Sequence, residues 1–151
     1  MGDRVCAKVM IMAERFSERF SVRAYELDSN GHVNGVVYLQ YAEHSRWQLM
    51  RAAGADLERL RSLGIGPVFL ETVIRYHSEL FYGDAVDVSC EIVWGLGKTF
   101  RVPQEVRRTD GDLVAEISSV GGLLDLETRR LVEAPAERYR EIAAAPEVLG
   151  L

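Results

Sequence analysis

The chain has 151 residues, of which 48% are hydrophobic and 27% charged, and its formal net charge is −5. This length and composition predict a single domain over residues 1–151 that can bury a core of its own. The negative charge and the scattered basic residues argue against nucleic acid as a partner. Cys6 and Cys90 form no disulfide frame or metal-ligand spacing, so we expect a cytoplasmic protein without a metal or cofactor.

The N-terminal segment Met1–Ala13 is predicted to be a weakly ordered lead-in. Its apolar run AKVMIMA is short and is followed by the charged ERFSERF, so neither a secretory signal nor a membrane span is predicted. The next residues, FSERFSVRAYEL, alternate between apolar and polar side chains. This alternation predicts a strand over Phe16–Leu27.

A polar turn from Asp28 to Asn34 is predicted to end that strand, because short polar side chains and glycine favour turns. Asn34 is the expected N-cap of a long helix from Gly35 to Ala53, which Gly54 ends. Asp56 is expected to cap a shorter helix, LERLRSLG, that closes at Gly64.

The second half of the chain is rich in β-branched and aromatic residues and predicts four antiparallel strands. They read VFLETVIRYHSELFY, AVDVSCEIVWGL, KTFRVPQEVRRT and LVAEISSVGGLLDL. Pro103 predicts an edge position or a bulge in the third of these strands. APAERYREIAAA is expected to form a terminal helix. One strand, a long helix and four further strands predict an α+β fold whose sheet can wrap the helix.

The segment from Tyr25 to Arg46 reads YELDSNGHVNGVVYLQYAEHSR. Its pattern Y-x-x-D-x-N-G-H-V-N-x-x-x-Y-L-x-Y-x-E-x-x-R resembles the hotdog-fold acyl-CoA thioesterases of the YbgC and 4-hydroxybenzoyl-CoA thioesterase group. VFLETVIRYHSELFYGD is similar to the strand and Gly-Asp turn that follow in that group, so the resemblance covers Ser17 to Glu127. It implies an antiparallel sheet wrapped around the central helix, and a homodimer or homotetramer with active sites between chains.

The resemblance also implies hydrolysis of an acyl-CoA or acyl-carrier-protein thioester to a free acid and a thiol. Asp28 matches the acid that attacks the thioester carbonyl or activates water, and an aspartate is ionised at neutral pH. A purely structural role for Asp28 in the turn is the alternative. His32 is a second catalytic candidate and could instead bond a backbone group. Glu43 is a third, because some hotdog thioesterases use a helix glutamate as base.

The backbone amides at the start of the long helix are expected to polarise the thioester carbonyl. The predicted substrate-binding residues are Tyr25, Asn34, Gly35, Val36, Val37 and Tyr38. Tyr25 could instead belong to the strand core, and Gly35 could merely relieve crowding. The acyl pocket is assigned to Tyr38, Phe69 and Trp94. The cations available for coenzyme A phosphates are Arg75, Lys98, Arg101, Arg107 and Arg108.

Two other functions are compatible with the sequence. Hotdog hydratases and dehydratases use Asp and His in a D-x-N-P-x-H segment, which Asp28 to His32 resembles, although here the proline is missing and the histidine lies one residue closer. A non-catalytic acyl-binding module is the third possibility. The intact Asp28 argues against it. Acyl length and the choice of carrier stay open.

Overall fold

The computed structural model describes residues 15–151, which form a six-stranded antiparallel sheet and three helices. The strands are β1 Phe16–Ser21, β2 Ile65–Tyr76, β3 Ala85–Cys90, β4 Val93–Trp94, β5 Thr99–Arg108 and β6 Leu113–Asp125. The helices are α1 Gly35–Ala52, α2 Leu57–Ser62 and α3 Pro135–Ile142. The predicted lead-in Met1–Ala13 and Cys6 lie outside the described residues. The predicted α+β hotdog architecture is confirmed.

The strands are arranged in the order β1-β3-β5-β6-β2, and the short β4 pairs with β5. Strands β1 and β2 are therefore the two edges. Helix α1 packs on the sheet through small or polar contacts as well as apolar ones. The Ser45 hydroxyl donates to the carbonyl of Val88 at 3.0 Å, and the Gln104 side chain donates to the carbonyl of Ala42 at 3.0 Å. These bonds hold α1 in one register against β3 and β5.

Both predicted helix caps are present. The Asn34 side chain accepts from the Val36 amide at the start of α1, and the Asp56 side chain accepts from the Arg59 amide at the start of α2. Gly54 follows α1 with a φ of 69°, a left-handed conformation that favours glycine. The sequence was sufficient to predict these caps, because the donor and the acceptor of each capping bond lie within three residues of each other.

The strand predicted over Phe16–Leu27 ends early, at Ser21. The chain then forms a 3₁₀ turn over Ala24–Glu26, in which the Glu26 carboxylate accepts the Arg23 amide at 2.8 Å. The same carboxylate accepts the hydroxyl of Tyr41 on α1. Tyr25, predicted to lie on the strand, lies on this turn instead and is 80% exposed. The alternation of apolar and polar residues could not predict this bend, because the bend is stabilised by Tyr41 on α1.

The later strands also differ in detail from the prediction. β2 ends at Tyr76 instead of continuing to residue 82, and the strand predicted over residues 85–96 is divided into β3 and β4. Five strands therefore follow α1 instead of four. The terminal helix α3 is four residues shorter than predicted, since the predicted range was 134–145.

Pro103 lies in the central strand β5, which is unusual for a residue without an amide hydrogen. On one side, β5 pairs with β6 through Pro103 and Ser118. On its other side, β3 pairs only with residues 106–108 and β4 only with residues 100–101. Pro103 falls in the gap between them, so the strand behaves locally as an edge.

Replacement of Tyr41 by Phe should lower the free energy of unfolding by about 1–3 kcal/mol, because Glu26 is only 8% exposed and would lose a hydrogen-bond donor. Urea denaturation of the wild type and the variant measures this difference. The matched control is Tyr82→Phe, since Tyr82 is largely exposed. Equal effects of the two substitutions would show that the Tyr41 hydroxyl does not support the turn.

Candidate active site

The turn that begins at Asp28 is held by its own backbone and by the Asp28 side chain. Oδ1 of Asp28 accepts the Asn30 amide at 2.8 Å, and the Asp28 amide donates to the His32 carbonyl at 2.8 Å. Gly31 has a φ of 78°, which the tight turn requires. The structural role foreseen for Asp28 is therefore present. This role occupies Oδ1 of Asp28, whereas Oδ2 contacts a second group.

That group is His32, whose imidazole lies between two carboxylates. Its Nε2 is 3.3 Å from Oδ2 of Asp28, and its Nδ1 is 2.8 Å from Oε1 of Glu79. The pKa of His32 is raised, chiefly by the hydrogen bond to Glu79, and the charges of Asp28 and Glu79 add to this while burial opposes it. In the imidazolium form both ring nitrogens donate, so Asp28 is the acceptor in this pair.

Glu79 was not among the predicted site residues. It lies 47 residues from His32 in the sequence, and nothing in the local pattern SELFYGD marks it. The two segments meet because the Val33 amide donates to the Leu80 carbonyl at 2.9 Å, which aligns the end of the turn with the segment after β2. Only this non-local pairing brings Glu79 to the imidazole.

The first amides of α1 are not equally available to a substrate. Asn34 takes two of them: its side chain accepts the Val36 amide at 3.0 Å and its carbonyl accepts the Val37 amide at 2.9 Å. Within residues 15–151 the Gly35 amide donates to no protein acceptor. Of the three amides predicted to polarise a carbonyl, Gly35 therefore carries the free donor at the positive end of the helix.

Tyr76, another residue that was not predicted, lies against the same helix start. Its hydroxyl donates to the Gly35 carbonyl at 2.8 Å, and its ring packs edge-on against Tyr38 with centroids 5.1 Å apart. A Cβ atom at position 35 would lie 3.0 Å from the Tyr76 hydroxyl. Glycine at this position thus permits the close approach of β2 to α1.

These residues surround a cavity of about 410 Å³, which we call the first cavity. Its walls consist of His32, Val33, Gly35, Tyr38, Tyr76, His77, Ser78 and Glu79. Asp28 does not line the first cavity and reaches it through its contact with His32. Among the five predicted phosphate-binding cations, Arg108 borders this cavity, because it donates to the Ser78 hydroxyl at 3.1 Å and to the Glu79 carbonyl.

Other predicted site residues lie elsewhere. Tyr25 borders a separate groove with Arg19 and Arg23. Glu43 is exposed and lines a second cavity, and it follows Gly35 by eight residues, about 12 Å along the helix axis. The structure therefore does not bring Glu43 to Asp28.

One predicted side-chain grouping is wrong. The acyl pocket assigned to Tyr38, Phe69 and Trp94 is not one pocket: Tyr38 lines the first cavity and Phe69 the second. Trp94 packs in the core against Phe100 and Tyr139.

Across residues 15–151, no group of three or more His, Cys, Asp and Glu side chains is arranged to hold a metal ion. None of the helices in this part of the chain combines the length and the apolar character needed to cross a membrane.

Comparison with known proteins places these features in a family. The family described as the thioesterase-like superfamily matches residues 22–145. A putative esterase of Aquifex aeolicus is 33% identical over 73 residues, which is 48% of this chain and 57% of that protein. A chloroplastic acyl-acyl carrier protein thioesterase of Arabidopsis thaliana is 31% identical over 81 residues, 54% of this chain and 43% of that protein. The matches thus span about half the length of these curated relatives.

Solved structures share the fold. The crystal structure of a 1,4-dihydroxy-2-naphthoyl-CoA thioesterase from Synechocystis superposes with a TM-score of 0.76 at 17% identity. The superposition covers 85% of this chain and 93% of that one. At this identity the likeness concerns the arrangement of strands and helices.

Replacement of Glu79 by Gln should lower the pKa of His32 towards its ordinary value of about 6.5, because the main cause of the raised pKa is removed. NMR titration of the His32 imidazole measures this. The control is Glu116→Gln, which breaks the similar contact of Glu116 with His77 at 2.7 Å and should leave His32 unchanged.

The same pair of variants has a pH signature in stability. A raised pKa in the folded state means that the His32–Glu79 contact stabilises the fold fully below pH ~6.5, and this contribution is lost as the pH rises through the folded-state pKa. The difference in the free energy of unfolding between wild type and Glu79→Gln should therefore shrink as the pH rises. A difference that grows with pH would contradict the assignment of the proton to His32.

Proposed function

The chain belongs to the thioesterase-like superfamily, and from this premise we propose that it hydrolyses an acyl thioester to a free acid and a thiol. The observation that carries the proposal is that His32, which contacts Asp28, lines the first cavity together with Gly35 at the start of α1. The Arabidopsis relative is by name an acyl-acyl carrier protein thioesterase, and the Synechocystis protein acts on a CoA thioester. Both names support a thioester substrate, with coenzyme A or a carrier protein as the thiol.

In the proposed reaction, Asp28 acts as general base or as nucleophile. As a base, it takes a proton from water while the water oxygen bonds to the carbonyl carbon; the carbon–sulfur bond then breaks and the thiolate leaves with the electron pair. As a nucleophile, its oxygen bonds to the carbonyl carbon and the carbon–sulfur bond breaks, so that the thiolate leaves and an acyl–aspartyl anhydride remains; water then opens the anhydride to the free acid and the Asp28 carboxylate. The imidazolium of His32 donates to Oδ2 of Asp28 and orients the carboxylate for either route.

The developing charge on the carbonyl oxygen also needs a donor. The Gly35 amide supplies one, supported by the positive end of α1, and a donor of this type lowers the barrier by about 3 kcal/mol. Because a thiolate is a good leaving group, the site needs no strong general acid. Arg108 at the border of the first cavity is the cation that we assign to a phosphate of coenzyme A.

We further propose that two chains pair through β2. The polar residues Ser17, Glu18 and Arg19 on the opposite edge strand β1 discourage further pairing. On β2, by contrast, large apolar side chains are exposed, namely Phe69, Leu70, Val73 and Tyr76. A second copy would cover this apolar edge and would also lie next to Tyr76 and the start of α1. The active sites would then lie at the interface, in a homodimer or in a homotetramer made of two such dimers.

The contact between Asp28 and His32 also supports a second candidate function, the hydration of an enoyl thioester. That reaction needs a carboxylate and an imidazole that act together on one water molecule. Glu79 weighs against it, because its hydrogen bond with Nδ1 raises the pKa of His32 and so disfavours the neutral imidazole that would accept a proton.

Replacement of Asp28 by Asn should reduce thiol release from a panel of acyl-CoAs by roughly a hundredfold to ten-thousandfold, because an amide cannot act as base or nucleophile. The amide oxygen can still accept the Asn30 amide, so the turn should survive. Asp125→Asn is the matched control, since Asp125 accepts the Glu127 and Thr128 amides in a similar turn and does not line the first cavity.

Three outcomes separate the candidate functions. Thiol release lost only in Asp28→Asn supports hydrolysis with Asp28 as the reacting group. Activity that survives the substitution would refute that role. Conversion of enoyl-CoA without thiol release would identify a hydratase, and a carrier-protein thioester in the same assay tests the other carrier.

Replacement of Leu70 by Glu should dissociate the proposed dimer, because it puts a charge into the apolar edge of β2. Leu70 and Leu96 are both exposed, so Leu96→Glu is a control at a site distant from that edge. Sedimentation velocity of the three proteins measures the mass in solution. A wild-type protein that is monomeric at assay concentration would overturn the proposed pairing.

A further inference from the structure

A second cavity, of about 250 Å³, lies beside the C-terminal half of α1. Its walls are mainly aliphatic and aromatic, and they include Leu49, Phe100, Val102 and Tyr139. Nothing in the proposed reaction uses this space. The described chain carries one unusual polar group there, the guanidinium of Arg46.

Arg46 is held in a defined orientation. Its Cζ atom lies 4.2 Å from the centroid of the Phe69 ring, and one terminal nitrogen donates to Oε1 of Gln104 at 3.0 Å. Gln104 is itself buried, and its amide nitrogen donates to the Ala42 carbonyl, so its oxygen is fixed towards Arg46. Stacking fixes the plane of the guanidinium, and the Gln104 bond fixes one of its edges.

None of the ion pairs formed within residues 15–151 includes Arg46. Burial lowers the pKa of Arg46, and the nearby charge of Glu43 opposes this shift without direct contact; Glu43 lines the same cavity but is exposed to solvent. Every fully buried side-chain nitrogen and oxygen of the described residues has a hydrogen-bond partner. The remaining N–H groups of Arg46 are therefore open to the cavity or to solvent, where an anion can reach them.

Cys90 could have been an internal anion for Arg46, but its environment prevents this. The thiol lies in the cavity wall and is almost fully buried. Burial raises its pKa to about 12, so the group is a neutral thiol at physiological pH. An unpaired guanidinium in an apolar wall is costly to a protein unless something pairs with it.

We propose that the second cavity binds a ligand with an apolar body and a carboxylate, with the carboxylate on Arg46 and the body against the apolar walls. The planar, partly exposed guanidinium suits the two oxygens of a carboxylate. The volume is slightly below the ~300 Å³ at which pockets for drug-sized ligands begin, which indicates a body of modest size.

Two sources would supply such a ligand, and both rest on the proposed thioester hydrolysis. The free acid released by the reaction has this chemistry. An acyl group with a second carboxylate at its far end has it as well: Arg46 follows Gly35 by eleven residues, about 16 Å along α1, so an extended chain could join the two positions.

The decisive experiment is calorimetric titration with octanoate of the wild-type protein, Arg46→Met and the control Arg51→Met. Arg51 lies on the same helix and is exposed. We expect saturable binding to the wild type, weakened about tenfold or more in Arg46→Met and unchanged in Arg51→Met. Octanol, which lacks the carboxylate, should bind wild type and Arg46→Met equally. This comparison separates recognition by Arg46 from a merely structural effect.

Equal octanoate affinities of wild type and Arg46→Met, or no saturable binding to the folded wild type, would overturn the proposal. The titration needs no turnover, so it decides the site even if no thioester is hydrolysed. Hydrolysis of acyl-CoAs from octanoyl to hexadecanoyl, each with and without a terminal carboxylate, then assigns the source. If the wild type hydrolyses the carboxylated acyl-CoAs with a higher kcat/KM and Arg46→Met loses this preference, the natural ligand is the acyl tail. If free octanoate inhibits the wild type but not Arg46→Met, the natural ligand is the product acid.

Discussion

The buried carboxylate of Glu26 is the constraint on which the geometry of the site depends. It accepts the Arg23 amide from the end of the first strand and the Tyr41 hydroxyl from the middle of α1. The backbone carbonyl of the same residue accepts the Asn34 amide at 2.9 Å. One residue therefore connects the strand, the polar turn and the helix start. Because a buried carboxylate that lacks donors is costly, these connections are maintained together.

The charged residues at the turn, Asp28, His32 and Glu79, have different roles because of their relative positions. The imidazole of His32 lies between two carboxylates, and the hydrogen bond to Glu79 is the main cause of its raised pKa, while Asp28 accepts from the other ring nitrogen. The positive end of α1 favours negative charge placed near it. In the proposed reaction the carboxylate supplies or activates the attacking group, and the Gly35 amide stabilises the charge that develops on the carbonyl oxygen.

Helix α1 separates two chemical environments along one side of the molecule. At its first turn, the cavity contains histidine, tyrosine and glutamate side chains that can exchange protons or donate hydrogen bonds. Three turns later, the cavity is apolar apart from Arg46 and the exposed Glu43. Strand β2 borders both, through Tyr76 at the first cavity and Phe69 at the second. An acyl compound with polar groups at both ends suits this arrangement.

The sequence by itself determined the features that depend on neighbouring residues. These include the extent of α1, its Asn34 cap, the left-handed Gly54 and the closeness of Asp28 and His32, because each involves residues within about one turn of one another. Tertiary structure alone decided which distant groups meet them. Glu79 reaches His32 across 47 residues, Tyr76 reaches Gly35 across 41, and Gln104 holds Arg46 across 58. No local pattern encodes these contacts, because the pairing of strands and the packing of α1 on the sheet bring the partners together.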